Sequence, residues 1–237
     1  MNQKYAKYLL EKTQKYYNQI AEHFSRTRSF IWPQTEKLAK IVKNNDKILD
    51  LGCGNGRLRA FFKNLDIEYI GIDFSKELIR LAKENKGLYL ENQKFLIGSV
   101  LNLPFSANYF DKIFSIAVFH HIPSKKLREL FLKEAKRVLK PGGFLILTVW
   151  NLYRKKFLKH HLKYSLLKMI GKSKLDFKDI FHPWKNQKGQ IIAQRYIHCF
   201  TISELKRIVQ NSGFKIKEIG FLEKQKSNIY LIAEKPL

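Results

Sequence analysis

The stretch Asp50-Leu51-Gly52-Cys53-Gly54-Asn55-Gly56 ends an apolar run with a carboxylate and then sets three glycines at alternate positions. Glycine there lets the backbone turn sharply and lets a ligand approach atoms that a side chain would cover. A second carboxylate, Asp73, ends the next apolar run at Gly71-Ile72-Asp73. A glycine-rich turn without a ligand is the plain alternative, but three glycines answered by an acid on the next strand are hard to explain as packing. Dinucleotide folds use G-x-G-x-x-G and seat a pyrophosphate on a helix amino terminus. Here the spacing is G-x-G-x-G, and Asp50 stands where it would repel a pyrophosphate. A carboxylate at that point suits a ligand that carries a cation.

Other residues with binding chemistry fall at the ends of later apolar runs. His120 and His121 follow "KIFSIAV" and Trp150 ends "FLILTVW", all at the edge of the sheet where ligands of such folds lie. A histidine pair after a strand serves equally as a helix cap or hinge, and Trp150 reads equally as core. Upstream, "SRTRSFIWP" places Arg28, Phe30 and Trp32 ahead of the first strand. Arg28 reads either as an ion pair fastening the amino-terminal helix or as a binding group. Trp32-Pro33 reads either as a helix start with an apolar staple or as a stacking surface. Cys53 and Cys199 have neither metal-ligand nor disulfide spacing, so plain thiols, a reducing compartment and no metal site are expected.

The elements that hold these residues alternate between short apolar runs and helical stretches. Buried parallel strands are predicted at 47–52, 69–73, 95–98, 112–118 and 144–150. Between them lie helices at 57–65, 75–85 and 124–140, with Ser75 and Ser124 as N-caps, Gly87 near one helix end and Pro141-Gly142-Gly143 as a stop. A lysine-rich stretch of mixed character, 151–200, comes next. A helix opened by the capping box Thr201-Ile202-Ser203-Glu204 and closed near Gly213 follows, then two strands, 214–221 and 228–235, as an antiparallel edge hairpin. That is an α/β, doubly wound, mostly parallel sheet.

S-adenosylmethionine offers an ammonium and a sulfonium for Asp50, and ribose hydroxyls for Asp73. With it the motifs fall into order: "DLGCGNG", "GIDFS", "LNLPF", "FDKIFSIAVFHHI" and "VLKPGGFLILTVW" resemble the class I methyltransferases over residues 45 to 150. The resemblance implies a Rossmann-like, seven-stranded sheet with an antiparallel edge strand. It also implies a cofactor site of Asp50, Gly52, Gly54, Gly56, Asp73, Phe74, Ser99, Val100, Leu101 and Ile116. Ser99 stands where the family often has an aspartate near the adenine.

The acceptor is narrowed by what is missing. There is no Asp/Asn-Pro-Pro-Tyr segment for exocyclic base nitrogens, no cysteine placed as a nucleophile for pyrimidine carbon, and no acidic cluster for metal-dependent oxygen methylation. Outside the core, "YYNQIAEHFSRTRSFIWP", "SIAVFHH", "DIFHPW" and "RYIHCFTISEL" resemble the tRNA wobble-uridine carboxyl methyltransferases, which esterify 5-carboxymethyluridine in the anticodon. That resemblance implies catalytic or acceptor-contact roles for Arg28, His120, His121 and Trp150. It also implies tRNA, through its anticodon stem-loop, as substrate, and a small zinc-binding activator subunit of the kind eukaryotic members use. An arginine fork suits a carboxylate, and an ionised carboxylate needs no general base.

The 237 residues are 45% hydrophobic, enough for one domain. It divides into an amino-terminal helical cap (1–45), a cofactor core (46–150), a basic insertion after strand five (151–200) and a closing helix and hairpin (201–237). The formal charge of +25 favours a polyanionic partner, although lysine with much Asn and Ile is also what a genome poor in G and C produces. The insertion carries 12 Lys or Arg against Asp176 and Asp179, interleaved with aromatics. That suits a tRNA stem-loop. An amphipathic membrane-surface helix over 154–172, fitting a quinone or lipid acceptor, is the competing reading. A basic RNA-binding protein with a degenerate, inactive core is a third, which the intact glycine loop argues against. No signal peptide or long apolar run is present, so a cytoplasmic protein without stable membrane insertion is expected.

Overall fold

The computed structural model describes residues 1–28, 33–85, 91–223 and 226–237, with Lys156 described by its backbone alone. Phe30, Trp32 and Gly87, singled out above, lie outside the described residues. Strands β1 (Lys47–Leu51), β2 (Glu68–Asp73), β3 (Gln93–Ile97), β4 (Phe110–Ile116) and β5 (Leu139–Trp150) run parallel, in the order β3-β2-β1-β4-β5. Their apolar runs are nearly continuous because both sheet faces are covered. In β5, Leu145, Leu147 and Val149 enter one core while Ile146 enters the other.

The first core is closed by α4 (Lys125–Val138) and α6 (Ile202–Asn211), through Phe131, Leu132, Ala135, Leu205 and Val209. The second is closed by α2 (Glu36–Ala39), a 3-10 segment at Arg57–Phe62 and α3 (Lys76–Glu84), through Leu38, Phe62, Ile79 and Ala82. The segment after the glycine loop is therefore a tight 3-10 turn where an α-helix was expected. Ser75 and Ser124 are the N-caps, each accepting a backbone N–H at 3.3 Å. Strand β5 begins at Leu139, before the Pro-Gly-Gly stop, pairing Leu139 with Phe110 ahead of a register shift, and Gly143 passes so close to the Asp111 carbonyl that a Cβ would sit 2.9 Å from it. Strands β8 (Lys215–Phe221) and β9 (Asn228–Glu234) complete the seven-stranded sheet as an antiparallel hairpin at its edge. The second of them, β9, pairs antiparallel with β5, and β8 lies outside it.

Above the carboxyl ends of the parallel strands lie two further pieces. One is α1 (Gln3–Thr27). The other comes from the basic insertion, which forms α5 (Leu158–Met169) and an antiparallel hairpin of β6 (Asp179–Lys185) and β7 (Ile191–His198). The hairpin packs on α1, Trp184 and Ala193 against Ile20, and Tyr196 with Leu175 against Leu9. At its base, buried His198 bonds Asp179 at 2.7 Å through one ring nitrogen and Glu204 at 2.9 Å through the other. Burial raises the Glu204 carboxyl, but hydrogen bonds from His198 and Lys178 outweigh it and hold it at about 2. The expected capping box at Thr201 is thus half made: Glu204 gives its N–H to Thr201 Oγ1 at 3.2 Å and its carboxylate to the hairpin. Helix α5 buries no side chain and exposes Leu158, Leu162, Leu166 and Met169. Among the described residues, no helix is long and apolar enough to cross a membrane.

Candidate active site

Between the sheet and α1 lies a cavity of about 460 Å³. Its floor is the glycine loop. Gly52 sits at φ +73°, and a Cβ there would meet Val118 Cγ2 at 2.5 Å, so both conformation and space require glycine. The Gly54 N–H donates to Asp73 Oδ2 and the Ser75 N–H to Asp73 Oδ1, both at 2.9 Å, which aims a buried carboxylate from the end of β2. Asp50, 2% exposed, accepts the Tyr69 hydroxyl at 2.6 Å. Burial lifts the Asp50 carboxyl to about 7, and nearby Asp73 adds to the rise. Burial likewise lifts Asp73 to about 6 against its backbone hydrogen bonds.

Phe74, Ser99, Val100, Leu101 and Ile116 line the same cavity, together with Asp50, Gly52, Gly54 and Asp73. Ser99 Oγ accepts the Leu101 N–H at 3.2 Å and so shapes the turn after β3. Gly56 does not line the cavity: a Cβ there would run into the Phe95 ring at 2.8 Å, so this glycine serves the packing behind the loop.

Of the acceptor-side residues, Arg28, His121 and Trp150 line the cavity and His120 does not. His120 is fully buried behind it, with Nδ1 accepting the Trp150 N–H at 3.5 Å and Nε2 unpartnered. His121 has both nitrogens committed. Its Nδ1 lies 2.8 Å from the Tyr196 carbonyl, which only accepts, so Nδ1 carries the proton; Nε2 then accepts the Tyr17 hydroxyl at 3.0 Å. Burial, reinforced by the Arg195 charge, pulls the His121 imidazole down to about 3, so it is neutral at physiological pH. Arg28 closes α1 and lies 5.3 Å over the Trp184 ring.

Several cavity residues were not singled out from the sequence. Gln14 of α1 donates to the Phe74 carbonyl at 2.6 Å, and Asn18 accepts the Ser75 hydroxyl at 2.8 Å, which docks α1 onto the β2–α3 turn. Tyr17 and Phe24 face inward from the same helix. Trp184 of β6 donates its indole N–H to His23 at 2.9 Å. Arg195 of β7, 4% exposed, is held between the rings of Trp150 and Trp184 at 4.9 and 4.7 Å. Arg57 joins Arg28 and Arg195 on the cavity wall. Burial, then the repulsion of Arg195, lowers Arg28, and burial, then Arg28, brings Arg57 to about 10. The inward face of α1 carried a signal, but burial along β6 and β7 does not alternate, and Arg195 was visible only as a basic residue of the insertion and as the first residue of the segment RYIHCFTISEL.

A seven-stranded doubly wound sheet whose carboxyl edge joins a glycine loop, two buried acids and a covered cavity defines a class, and the chain belongs to it: residues 42–213 match the methyltransferase domain family. It is an S-adenosylmethionine-dependent methyltransferase. It is 32% identical to the tRNA (carboxymethyluridine(34)-5-O)-methyltransferase of Schizosaccharomyces pombe, across 92% of this chain and 94% of that one. The enzyme of the same name from Arabidopsis thaliana is 37% identical over 56% of this chain, which spans 31% of the plant protein's length. Among solved structures, an S-adenosylmethionine-dependent methyltransferase from Methanosarcina mazei superposes with a TM-score of 0.68 at 25% identity, covering 88% of this chain and 99% of that one. A Haloferax volcanii protein in complex with the Trm112 methyltransferase activator shares the fold, with a TM-score of 0.69 at 18% identity over 95% and 98% of the two chains.

The residues present fit that cofactor. Asp50 and Asp73 are buried acids with raised affinity for a proton, only partly offset for Asp50 by the Arg57 charge and the Tyr69 hydroxyl and for Asp73 by backbone N–H groups. A sulfonium and ammonium beside one and ribose hydroxyls beside the other would compensate that burial. The apolar side chains of Phe74, Val100, Leu101 and Ile116 offer a slot for a flat base.

Proposed function

We propose that the protein methyl-esterifies the carboxymethyl group of a modified wobble uridine in the anticodon loop of tRNA. The observation that carries the reading is the convergence of Arg28, Arg57 and Arg195 on a largely apolar cavity above the cofactor loop. Three cations on one wall suit an anionic acceptor rather than a neutral amine or ring carbon. The name and full-length match of the fission yeast relative support the same reading.

When bound, S-adenosylmethionine supplies an electrophilic methyl group on its sulfonium. The chain's own task is orientation. A carboxylate is ionised at neutral pH, so no base is needed, and His121, with its Nε2 lone pair taken by Tyr17, is built as a wall rather than as a proton acceptor. Holding one carboxylate oxygen in line converts an encounter into a near-unimolecular step. Asp73, fixed by two backbone N–H groups, sets the cofactor's position against that oxygen. His120 supports Trp150 from behind.

In this reading the 1–45 and 151–200 segments form one substrate-binding layer over the 46–150 core, with the basic insertion holding phosphates. An activator subunit of the kind seen with the Haloferax relative is the expected protein partner. The test is incubation with labelled S-adenosylmethionine and tRNA carrying the carboxymethylated uridine, followed by nucleoside mass spectrometry before and after mild alkali. An alkali-labile methyl on the wobble uridine is expected. No label in tRNA, with cofactor bound and activator present, overturns the reading.

A further inference from the structure

Arg195 is unlike the other two arginines of the cavity. Arg57 directly follows the glycine loop, and its charge acts on Asp50, which places it at the cofactor end. Arg28 ends α1 with its Nη1 turned onto the Thr27 carbonyl at 3.0 Å and its side chain partly open to solvent. Arg195 is buried on all sides. Its guanidinium lies 4.9 and 4.7 Å from the Trp150 and Trp184 ring centroids, Nη2 meets His182 Nδ1 at 3.1 Å, the Tyr17 hydroxyl is a neutral partner, and Nε has none among the described residues. Among the described residues, no carboxylate lies within ion-pair distance of it. A buried guanidinium so placed is costly unless an anion joins it.

The flanking residues define which anion. Trp150 ends β5, beside β4 and the His120-His121 turn, so the Arg195 cation stands over the carboxyl edge where the methyl group is delivered. The two aromatic rings lie close to its cation, and its planar fork suits a carboxylate. Resting on the esterification reading above, we propose that Arg195 reads the charge of the acceptor: it pairs with the carboxylate before transfer and loses that partner once the ester has formed.

The electron count explains why this matters. A carboxylate oxygen lone pair forms the new O–CH3 bond while the S–CH3 pair returns to sulfur, giving a neutral ester and a neutral thioether. An anion and a cation disappear together, and no proton moves. A guanidinium paired with the carboxylate stabilises the charged acceptor more than the charge-depleted transition state, so its benefit falls on binding and orientation rather than on the chemical step. The same loss of charge weakens the hold on product. One residue thus admits the acid and releases the ester.

The test compares anticodon stem-loops bearing the carboxymethyl group, its methyl ester and the isosteric carboxamide. Their binding is measured by fluorescence anisotropy in the presence of S-adenosylhomocysteine, for the wild type, Arg195→Gln and Arg195→Lys, with the activator included if the wild type needs it. The wild type is expected to favour the acid over both neutral forms by roughly ten- to a hundredfold, the worth of a charge-assisted hydrogen bond. Arg195→Gln should bring that ratio to about one and raise KM far more than it lowers kcat, while Arg195→Lys keeps part of the preference. S-adenosylhomocysteine affinity, measured on the same samples, reports that each variant is folded. A wild type indifferent to acceptor charge, or an Arg195→Gln protein that binds cofactor and keeps the preference, overturns the proposal. Absence of ester formation by the wild type overturns the tRNA reading instead, which is a separate result.

Discussion

The cofactor floor and the layer that roofs it are built in different ways. The floor is made of backbone: Gly52 at positive φ against Val118, and N–H groups of Gly54 and Ser75 aiming Asp73. The roof is made of side chains from segments far apart in sequence: Tyr17 on α1, His121 after β4, Trp184 and Arg195 on the β6–β7 hairpin. Backbone-built sites tolerate few residue types and leave a local signature. Side-chain-built sites depend on which distant elements meet. The two regions also titrate in opposite directions, because the floor buries acids and the roof buries histidines.

That contrast is broken most forcefully at Gly52. Gly52→Val adds a Cβ against Val118 at a left-handed backbone position, and should abolish cofactor binding by calorimetry while leaving tRNA affinity, which the proposed function assigns to the roof, within about threefold. Equal loss of both would show that floor and roof are not separable.

Next is pH. As pH falls through about 7 and about 6, Asp50 and Asp73 take up protons, so S-adenosylmethionine affinity should fall roughly tenfold or more between pH 7.5 and 5.5, and Asp50→Asn should flatten that arm. For the stability of the free protein, these raised carboxyls work against folding above their folded values and cease to do so as pH falls toward about 4. His121 does the reverse. Its folded value of about 3 lies below the unfolded one, so the unfolded chain binds the extra proton and stability declines as pH drops from about 6.5 toward 3. Thermal melts of His121→Gln should lose part of that acid-side decline.

A smaller effect is expected at Tyr17. Tyr17→Phe removes the donor to His121 Nε2 and should lower kcat/KM roughly tenfold, with cofactor affinity unchanged. Smallest is Ser99→Ala, which removes one exposed turn hydrogen bond to Leu101 and should weaken cofactor binding by roughly two- to fivefold. A larger loss would assign Ser99 a direct contact with the base.

The same contrast explains what the sequence made legible. The runs at 47–52, 69–73 and 112–118 announced β1, β2 and β4 because strands buried on both faces leave long apolar words. The roof hairpin did not announce itself. Pro183 and His182 interrupt β6, and β7 reaches inward through an arginine, which a search for apolar periodicity passes over. Arg195 was counted as one basic residue among 12 in the insertion and as the first residue of the segment RYIHCFTISEL, neither of which shows that it is buried beside Trp150 and Trp184. Gly56 misleads in the opposite sense: it belongs to the motif but answers to Phe95. Residues 57–65 carried helical periodicity, and Leu58 and Phe62 do enter the core beneath the loop, but the segment forms a tighter 3-10 turn.

Helix α1 is tied on one side to the β2–α3 turn by Gln14 and Asn18, and on the other to the hairpin by His23, Tyr17 and Ile20. One strut therefore spans both ligands, and traffic through the enzyme follows from it. On the proposed function, a tRNA lying on the roof would block the way out for whatever occupies the floor, so the cofactor is expected to enter first and its spent form to leave last. Initial-rate kinetics should show S-adenosylhomocysteine competing with S-adenosylmethionine but noncompetitive against tRNA, the pattern of an ordered queue with a single door.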